Sequence, residues 1–269
     1  MRLHDTAPGK LNLCLFVGAP RADGYHPLVS VFQSVALADE LLLEDARGEQ
    51  DEVVCPGVTG PNLAARAIAL FRERSGWDGP AVRLTIVKRV PVAAGMGGGS
   101  GDAAAALRLA ARAAGRADDD PLLAELAPLL GADVPFQLRP GRALVTGIGE
   151  HVEPVAGWVG HIPAAFVLFP SRHALSTLAV YAEADRLGTT REELNEAEAQ
   201  VRAGHLPLVN DLQDAARSLC PEIDDRLLSL GDGALVAGSG PTVFKGYDDP
   251  ERAAAVAAGL PGAILTTPC

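Results

Sequence analysis

Five glycines fall within seven residues in the segment Pro91-Val92-Ala93-Ala94-Gly95-Met96-Gly97-Gly98-Gly99-Ser100-Gly101, and the flanking residues place that run between a strand and a helix. Glycine reaches positive φ and lets backbone approach a ligand closely. Consecutive N–H groups form an anion-binding nest. The N-terminus of the following helix adds about half a positive charge, and Ser100 adds a hydroxyl donor. Three arrangements share these traits: a flexible linker with a helix cap, a dinucleotide-binding turn, and a nucleotide kinase loop. Gly99-x-Gly101-x-x-Ala104 fits the dinucleotide spacing G-x-G-x-x-A. The acid that should end the next strand about 20 residues on is missing, however. Asp118-Asp119-Asp120 instead follows Gly115 in a polar turn. A Walker-type loop is excluded, because the chain's only Gly-Lys pair continues as Gly9-Lys10-Leu11.

The formal charge of -11 argues against a nucleic-acid surface, which needs a basic stripe. A phosphate site must then be built locally, from backbone N–H groups and a few cations. Of 23 basic residues only Lys10, Lys88 and Lys245 are lysine. A chain that uses arginine almost everywhere keeps lysine where a compact point charge serves better than a planar fork. At 48% hydrophobic residues, a packed globular protein is expected. The start, Met1-Arg2-Leu3-His4-Asp5, has no apolar signal core, and no apolar run reaches membrane-span length. A cytoplasmic location follows as the expectation. Cys14, Cys55, Cys220 and Cys269 form no C-x-x-C pair, and no histidines pair as H-x-x-x-H. The spacing predicts neither a zinc site nor a disulfide framework, and no structural metal is expected.

Residues 9–17 alternate in polarity, which predicts a strand with Lys10 and Asn12 on one face, ~7 Å apart. Further strand is expected over 29–43, with a turn at 20–24 between them. Asn62 is placed to cap a helix that closes at Gly76. A strand over 81–87 precedes the glycine run, and helices are predicted over 102–114 and 121–130. Short strands are expected between 134 and 155. The Gly- and Pro-rich stretch 156–163 is the expected boundary between domains 1–156 and 157–269. Beyond it come a strand at 164–169, helices between 175 and 230, strands at 234–237 and 242–247 around the turn Gly238-Ser239-Gly240-Pro241, a helix at 250–259 and a strand near 263–266. Strands and helices mix without strict alternation, so the fold class is α+β in two domains.

Pro-x-x-x-Gly-Met-Gly-Gly-Gly-Ser at residues 91–100 resembles the second motif of the GHMP kinases (galacto-, homoserine, mevalonate and phosphomevalonate kinases). Pro8-Gly9-Lys10-Leu11-Asn12-Leu13 resembles the first motif and Gly238-Ser239-Gly240-Pro241-Thr242-Val243-Phe244 the third. The three occur in order across almost the whole chain. Arg21-Ala22-Asp23-Gly24-Tyr25-His26, Lys88-Arg89-Val90-Pro91, Leu130-Gly131-Ala132-Asp133-Val134-Pro135 and Asn210-Asp211-Leu212 narrow the resemblance to one family, the 4-diphosphocytidyl-2-C-methyl-D-erythritol kinases. Asp-Gly-Tyr-His discriminates most, because it resembles the cytidine-recognising part of those enzymes.

The resemblance implies the two-domain GHMP kinase fold: an N-terminal domain like domain 2 of ribosomal protein S5 and a ferredoxin-like C-terminal domain. It implies phosphoryl transfer from ATP, with magnesium, to the 2-hydroxyl of an acceptor carrying cytidine diphosphate. No nucleic acid, membrane or obligate protein partner is implied. Lys10 and Asp133 take the catalytic roles, as electrostatic partner and general base. Residues 91–101, Asn62 and Lys88 fall at ATP-binding positions, although Asn62 is equally explained as a plain helix cap. Asn12, Tyr25, His26, Tyr181, Gly240 and Thr242 fall at acceptor-binding positions. One departure concerns the loop: many relatives carry a second serine where Gly101 stands, so a metal or phosphate contact there passes to Ser100, Asp102 or water. The metal ligands stay unassigned. The segment after Pro170 also follows the family pattern only loosely. Two other readings stay open at this point: a GHMP kinase for another small alcohol, and a non-catalytic ATP-binding protein on the same scaffold.

Overall fold

The computed structural model describes residues 1–155 and 160–269. Among the described residues, nineteen elements follow one another in an α+β arrangement. They are β1 (Arg2–Val17), β2 (Leu28–Asp45), β3 (Glu52–Val54), α1 (Leu63–Ser75), β4 (Val82–Val87), α2 (Gly98–Ala113), α3 (Pro121–Leu130), α4 (Val134–Leu138), β5 (Arg142–Thr146) and β6 (His151–Pro154). Then come β7 (Ala165–Phe169), α5 (Thr177–Leu187), α6 (Asn195–Arg202), α7 (Gln213–Leu219), α8 (Glu222–Leu230), β8 (Leu235–Val236), β9 (Val243–Tyr247), α9 (Pro250–Gly259) and β10 (Ile264–Thr266). No helix among the described residues is long and apolar enough to cross a membrane. The described residues fall into two compact units, and each contains several separate stretches of chain. The expected boundary at residues 156/157 lies outside the described residues.

The first unit comprises Met1–Gly9, Leu37–Val92 and Gly97–Pro140. Residues 40–45 of β2 pair antiparallel with β4, and β3 pairs parallel with β4. Their inner faces, Leu41, Leu43, Leu84 and Ile86, are buried with Ile68 and Phe71 of α1 and with the alanines of α2. Those alanines let α1 approach α2 closely. Asn62 caps α1 by accepting the Ala64 N–H at 2.9 Å, and Gly76 closes it in the left-handed region. Such a cap is worth about 1 kcal/mol.

Two departures from expectation occur here. The helix expected from residue 102 begins at Gly98, so three loop glycines lie in its first turn. Glycine propensity disfavours this, but Gly97 at φ 67° turns the chain into helix geometry and accepts the first bond, from the Gly101 N–H. Residues 134–138 form a short helix where strand was expected, since Pro135 supplies a preset φ at its start.

Arg108 of α2 is a buried cation with its donors satisfied: Asp5 at 2.9 Å, the Thr6 carbonyl at 3.1 Å and the Gln137 carbonyl at 2.8 Å. It ties the end of α4 to α2, and so fixes the turn that carries Asp133.

The second unit comprises Lys10–Ala36, Ala93–Met96 and Gly141–Cys269. Residues 30–33 of β2 pair antiparallel with β5, which pairs with β6. A second, antiparallel sheet has the order β10-β7-β9-β8. Residues 10–17 of β1 are buried on both faces, so the polar residues among them need internal partners.

Candidate active site

In the second unit parts of the three motifs come together: residues 10–13, 93–96 and 238–244. The Lys10 N–H donates to the Met96 carbonyl at 2.9 Å, joining the first motif to the second. Gly95 (φ 75°) and Gly238 (φ 53°) interlock: a Cβ on Gly95 would lie 1.9 Å from the Ala237 carbonyl oxygen, and one on Gly238 would lie 2.9 Å from the Gly95 carbonyl oxygen. Only glycine permits this approach at either place. Asn210 holds the third motif's turn, donating from Nδ2 to the carbonyls of Val236 and Gly238, both at 2.8 Å.

Lys10 is 5% exposed. Its ammonium donates to Asn12 Oδ1 at 2.8 Å and lies 4.4 Å from the centre of the Phe32 ring. Asn12 Nδ2 donates to Ser30 Oγ at 3.0 Å, and the Ser30 hydroxyl donates to the Cys14 carbonyl at 2.5 Å. This chain of bonds fixes the Asn12 amide so that its oxygen faces the lysine. Ser30 and Phe32 carry no motif and were not found from sequence.

The Tyr25 side chain sits in an exposed turn. His26 is held: its Nε2 donates to Asp185 Oδ1 at 2.9 Å, and its ring lies 4.9 Å from the Tyr181 ring. Tyr181 and Asp185 both come from α5, one helical turn apart, so a single helix face presents them. Asp185 is a further residue that sequence reasoning missed. Gly240 (φ 80°) lies in the third motif's turn, and Thr242 is fully buried beneath it. The Thr242 hydroxyl has no partner among the described residues. Ser239 and Thr177 share a hydroxyl–hydroxyl bond of 3.1 Å.

In the first unit, the N–H groups of Gly98, Gly99 and Ser100 head a sixteen-residue helix, where no intrahelical acceptor exists for them. Lys88 lies beneath this start. Its ammonium bonds Asp39 at 2.5 Å and Asp102 at 2.7 Å. Asp39 also accepts the N–H groups of Arg89 and Val90. Lys88 is thus committed to two carboxylates that brace the loop. Burial works against its charge, but Asp102 and Asp39 outweigh it and raise its pKa. Burial likewise pushes the Asp102 carboxyl up to about 6, against the bond from Lys88 and with the negative Asp39 adding to the rise. Asp102 Oδ1 is buried without a partner. In the second unit Ala93, at φ 52°, is the one non-glycine residue with positive φ among the described residues, so residues 93–96 of the loop hold backbone strain. A Cβ on Gly101 would stand 3.3 Å from Ala7 Cβ. A serine there needs the β1 backbone to give slightly. Asp133 stands half-buried at the start of α4, and its carboxylate does not cap that helix. Asn62 occupies its cap, with the side-chain oxygen engaged there.

Comparison with known proteins places this geometry in a family. The GHMP kinases N terminal domain matches residues 62–141. A 4-diphosphocytidyl-2-C-methyl-D-erythritol kinase of Corynebacterium efficiens is 42% identical, covering 97% of this chain and 90% of that one. One from Kineococcus radiotolerans is 41% identical over 88% of this chain and 79% of its own. A crystal structure of 4-(cytidine 5'-diphospho)-2C-methyl-D-erythritol kinase superposes with a TM-score of 0.79 at 35% identity, covering 99% of both chains. Methanococcus jannaschii mevalonate kinase, at 11% identity and a TM-score of 0.74, shares the fold. With identity near 40% sustained over almost the full length, the chain belongs to the 4-diphosphocytidyl-2-C-methyl-D-erythritol kinase family of the ATP-dependent GHMP kinases.

Proposed function

We propose that this chain transfers the γ-phosphoryl group of ATP to the 2-hydroxyl of 4-diphosphocytidyl-2-C-methyl-D-erythritol. The products are the 2-phosphate and ADP, in non-mevalonate isoprenoid precursor synthesis. The observation that carries the acceptor assignment is the His26–Tyr181–Asp185 cluster. His26 donates its Nε2–H to Asp185, which leaves Nδ1 as the ring nitrogen that can accept from a ligand. Cytosine offers an amino donor on its pairing edge, and the rings of Tyr25 and Tyr181 offer it stacking faces. Gly240 and Thr242 close the acceptor site from the third motif.

Phosphoryl transfer asks mainly for positioning and electrostatic stabilisation. The free N–H groups at the head of α2 hold the phosphates. Asp133 accepts the proton of the 2-hydroxyl as the new O–P bond forms and the bond to ADP breaks. Lys10, aimed by Asn12, stabilises the charge spread over the transferring group. Asp102 Oδ1 and the Ser100 hydroxyl are hard oxygen donors that suit magnesium, whereas Gly101 offers none. When bound, the ion neutralises phosphate charge. Lys88 and the Asn62 cap support the nucleotide side by holding the loop and α1. ATP and a nucleotide-linked alcohol as substrates suit the cytoplasm.

His26→Ala removes the base-reading acceptor. The KM for the cytidyl acceptor is expected to rise about 10–100-fold, the cost of an unpaired polar group, with the KM for ATP within twofold. Steady-state kinetics with each substrate varied checks this. An unchanged acceptor KM counts against cytosine recognition by His26.

A further inference from the structure

We infer that His173, Cys220 and Glu222 form a binding site for a zinc-type divalent ion in the second unit, apart from the phosphoryl-transfer residues. Their ligand atoms all lie within 4.8 Å of one another. They come from two separate stretches: His173 from the segment between β7 and α5, and the other two from the junction of α7 and α8. Zinc bond lengths and tetrahedral angles set ligand–ligand separations of about 3.3–3.8 Å, so a small inward shift completes the site. The donors are one imidazole, one thiol and one carboxylate. That set selects a borderline ion such as zinc over magnesium or calcium, which take oxygen alone.

The carboxylate is already oriented for this role. Arg226 holds Glu222 Oε1 at 2.6 Å. Arg226 in turn donates to the Pro170 carbonyl at 3.0 Å and lies 5.0 Å from the Phe169 ring centre. That leaves Glu222 Oε2 facing Ser171 Oγ at 2.5 Å and His173 Nδ1 at 2.9 Å. Outer hydrogen bonds of this kind fix ligating carboxylates in metal sites. Cys220 is 5% exposed, whereas His173 is exposed. An ion therefore enters from the His173 side; the His173 Nδ1 proton moves to Nε2 by exchange with solvent, Nδ1 and Glu222 Oε2 turn from their mutual hydrogen bond to the ion, and the Cys220 thiol proton leaves to solvent.

The site has a reach beyond itself. Leu175, two residues from His173, would stand 3.6 Å from a Cβ on Gly240. The helix that follows carries Tyr181 and Asp185. An occupied site pins the segment leading to those acceptor-side residues onto the start of α8. The ligands are too scattered in sequence for any spacing motif, which is why cysteine and histidine spacing gave no metal expectation.

The test uses the full chain, stripped with a chelator and titrated with cobalt as a coloured substitute for zinc. A thiolate-to-cobalt charge-transfer band in the near ultraviolet is expected, saturating at one ion per chain and abolished by added zinc. Cys220→Ser is expected to lose the band. His173→Ala, a change at an exposed position, is expected to bind cobalt about 100-fold more weakly or worse, because losing a ligand costs more than the roughly 10–100-fold lost with an outer hydrogen-bond partner. Cys14 does not confuse the reading, since burial pushes its thiol up to about 11 and keeps it protonated. Absence of the band, its survival in Cys220→Ser, or unchanged affinity in His173→Ala would each overturn the site. The His173→Ala result decides the matter even if Cys220→Ser fails to fold.

Discussion

Lys10→Ala is expected to lower turnover about 10²–10⁴-fold, and Asp133→Asn by a similar factor. Lys10 is a buried cation whose position is over-determined. Asn12 Oδ1 accepts a hydrogen bond from its ammonium, Phe32 offers a ring face, and its own N–H is fixed to Met96. A charge kept at 5% exposure in a chain that otherwise favours arginine has a task that a surface cation does not. Truncation removes the proposed stabilisation of developing phosphoryl charge and leaves Asn12 Oδ1 without this donor. Asp133→Asn is nearly isosteric. Because the carboxylate makes no cap bond to α4, the amide should leave that helix intact. The rate loss then reports the missing base and charge rather than local unfolding. If the two groups act as a unit, the double variant should be little worse than the worse single one. Steady-state ADP release at saturating substrates measures this, with circular dichroism as the folding control. Activity within a few-fold of the parent in both single variants would mean that the pair is wrongly assigned.

Gly95→Ala and Gly99→Ala should separate structural from binding glycines within one loop. At Gly95 the added methyl meets backbone, 1.9 Å from the Ala237 oxygen and 2.9 Å from the Gly240 nitrogen, at φ 75°. Positive φ costs alanine about 1–3 kcal/mol, and overpacking adds about 1–3 kcal/mol. A total near 3 kcal/mol or more should lower the thermal midpoint by roughly 6–12 °C, with activity falling alongside. At Gly99 nothing lies within 4 Å of the added methyl, and the residue sits in the first turn of α2. Alanine is the better helix former by about 0.5–1 kcal/mol, so the midpoint should hold or rise. The methyl nevertheless takes up room beside the N–H groups proposed to hold phosphate, and the KM for ATP should rise about tenfold or more. Thermal melts and ATP titrations on both variants check the contrast. Equal destabilisation by the two, or an unchanged ATP KM for Gly99→Ala, would contradict this division.

Local physics made much of the fold legible. Asn62 and Gly76 bracket α1 because a cap acceptor and a left-handed closure are written into those side chains. Asp120 and Pro121 announce α3 in the same way. The start of α2 was not legible, because helix propensity disfavours Gly98 and Gly99. A turn at Gly97 and the packing of the helix overrode it. Strand β3 is three residues long, too short for any periodicity to register.

The candidate site divides along the same line. Lys10, Asn12, the glycine loop and His26 stand in recognisable runs. Their supports do not: Ser30, Asp39, Asp102 and Asp185 are ordinary polar residues until the fold brings them to Asn12, Lys88 and His26. Lys88 stands in a recognisable run as well, whereas the two carboxylates it bonds, Asp39 and Asp102, stand in none.

The measurement that bears most directly on the central claim is ADP release from ATP and magnesium with a panel of acceptors. Rapid release is expected with 4-diphosphocytidyl-2-C-methyl-D-erythritol and background release with homoserine or mevalonate. Turnover with homoserine or mevalonate but not with the cytidyl alcohol would contradict it, as would tight ATP binding with no acceptor-dependent release at all.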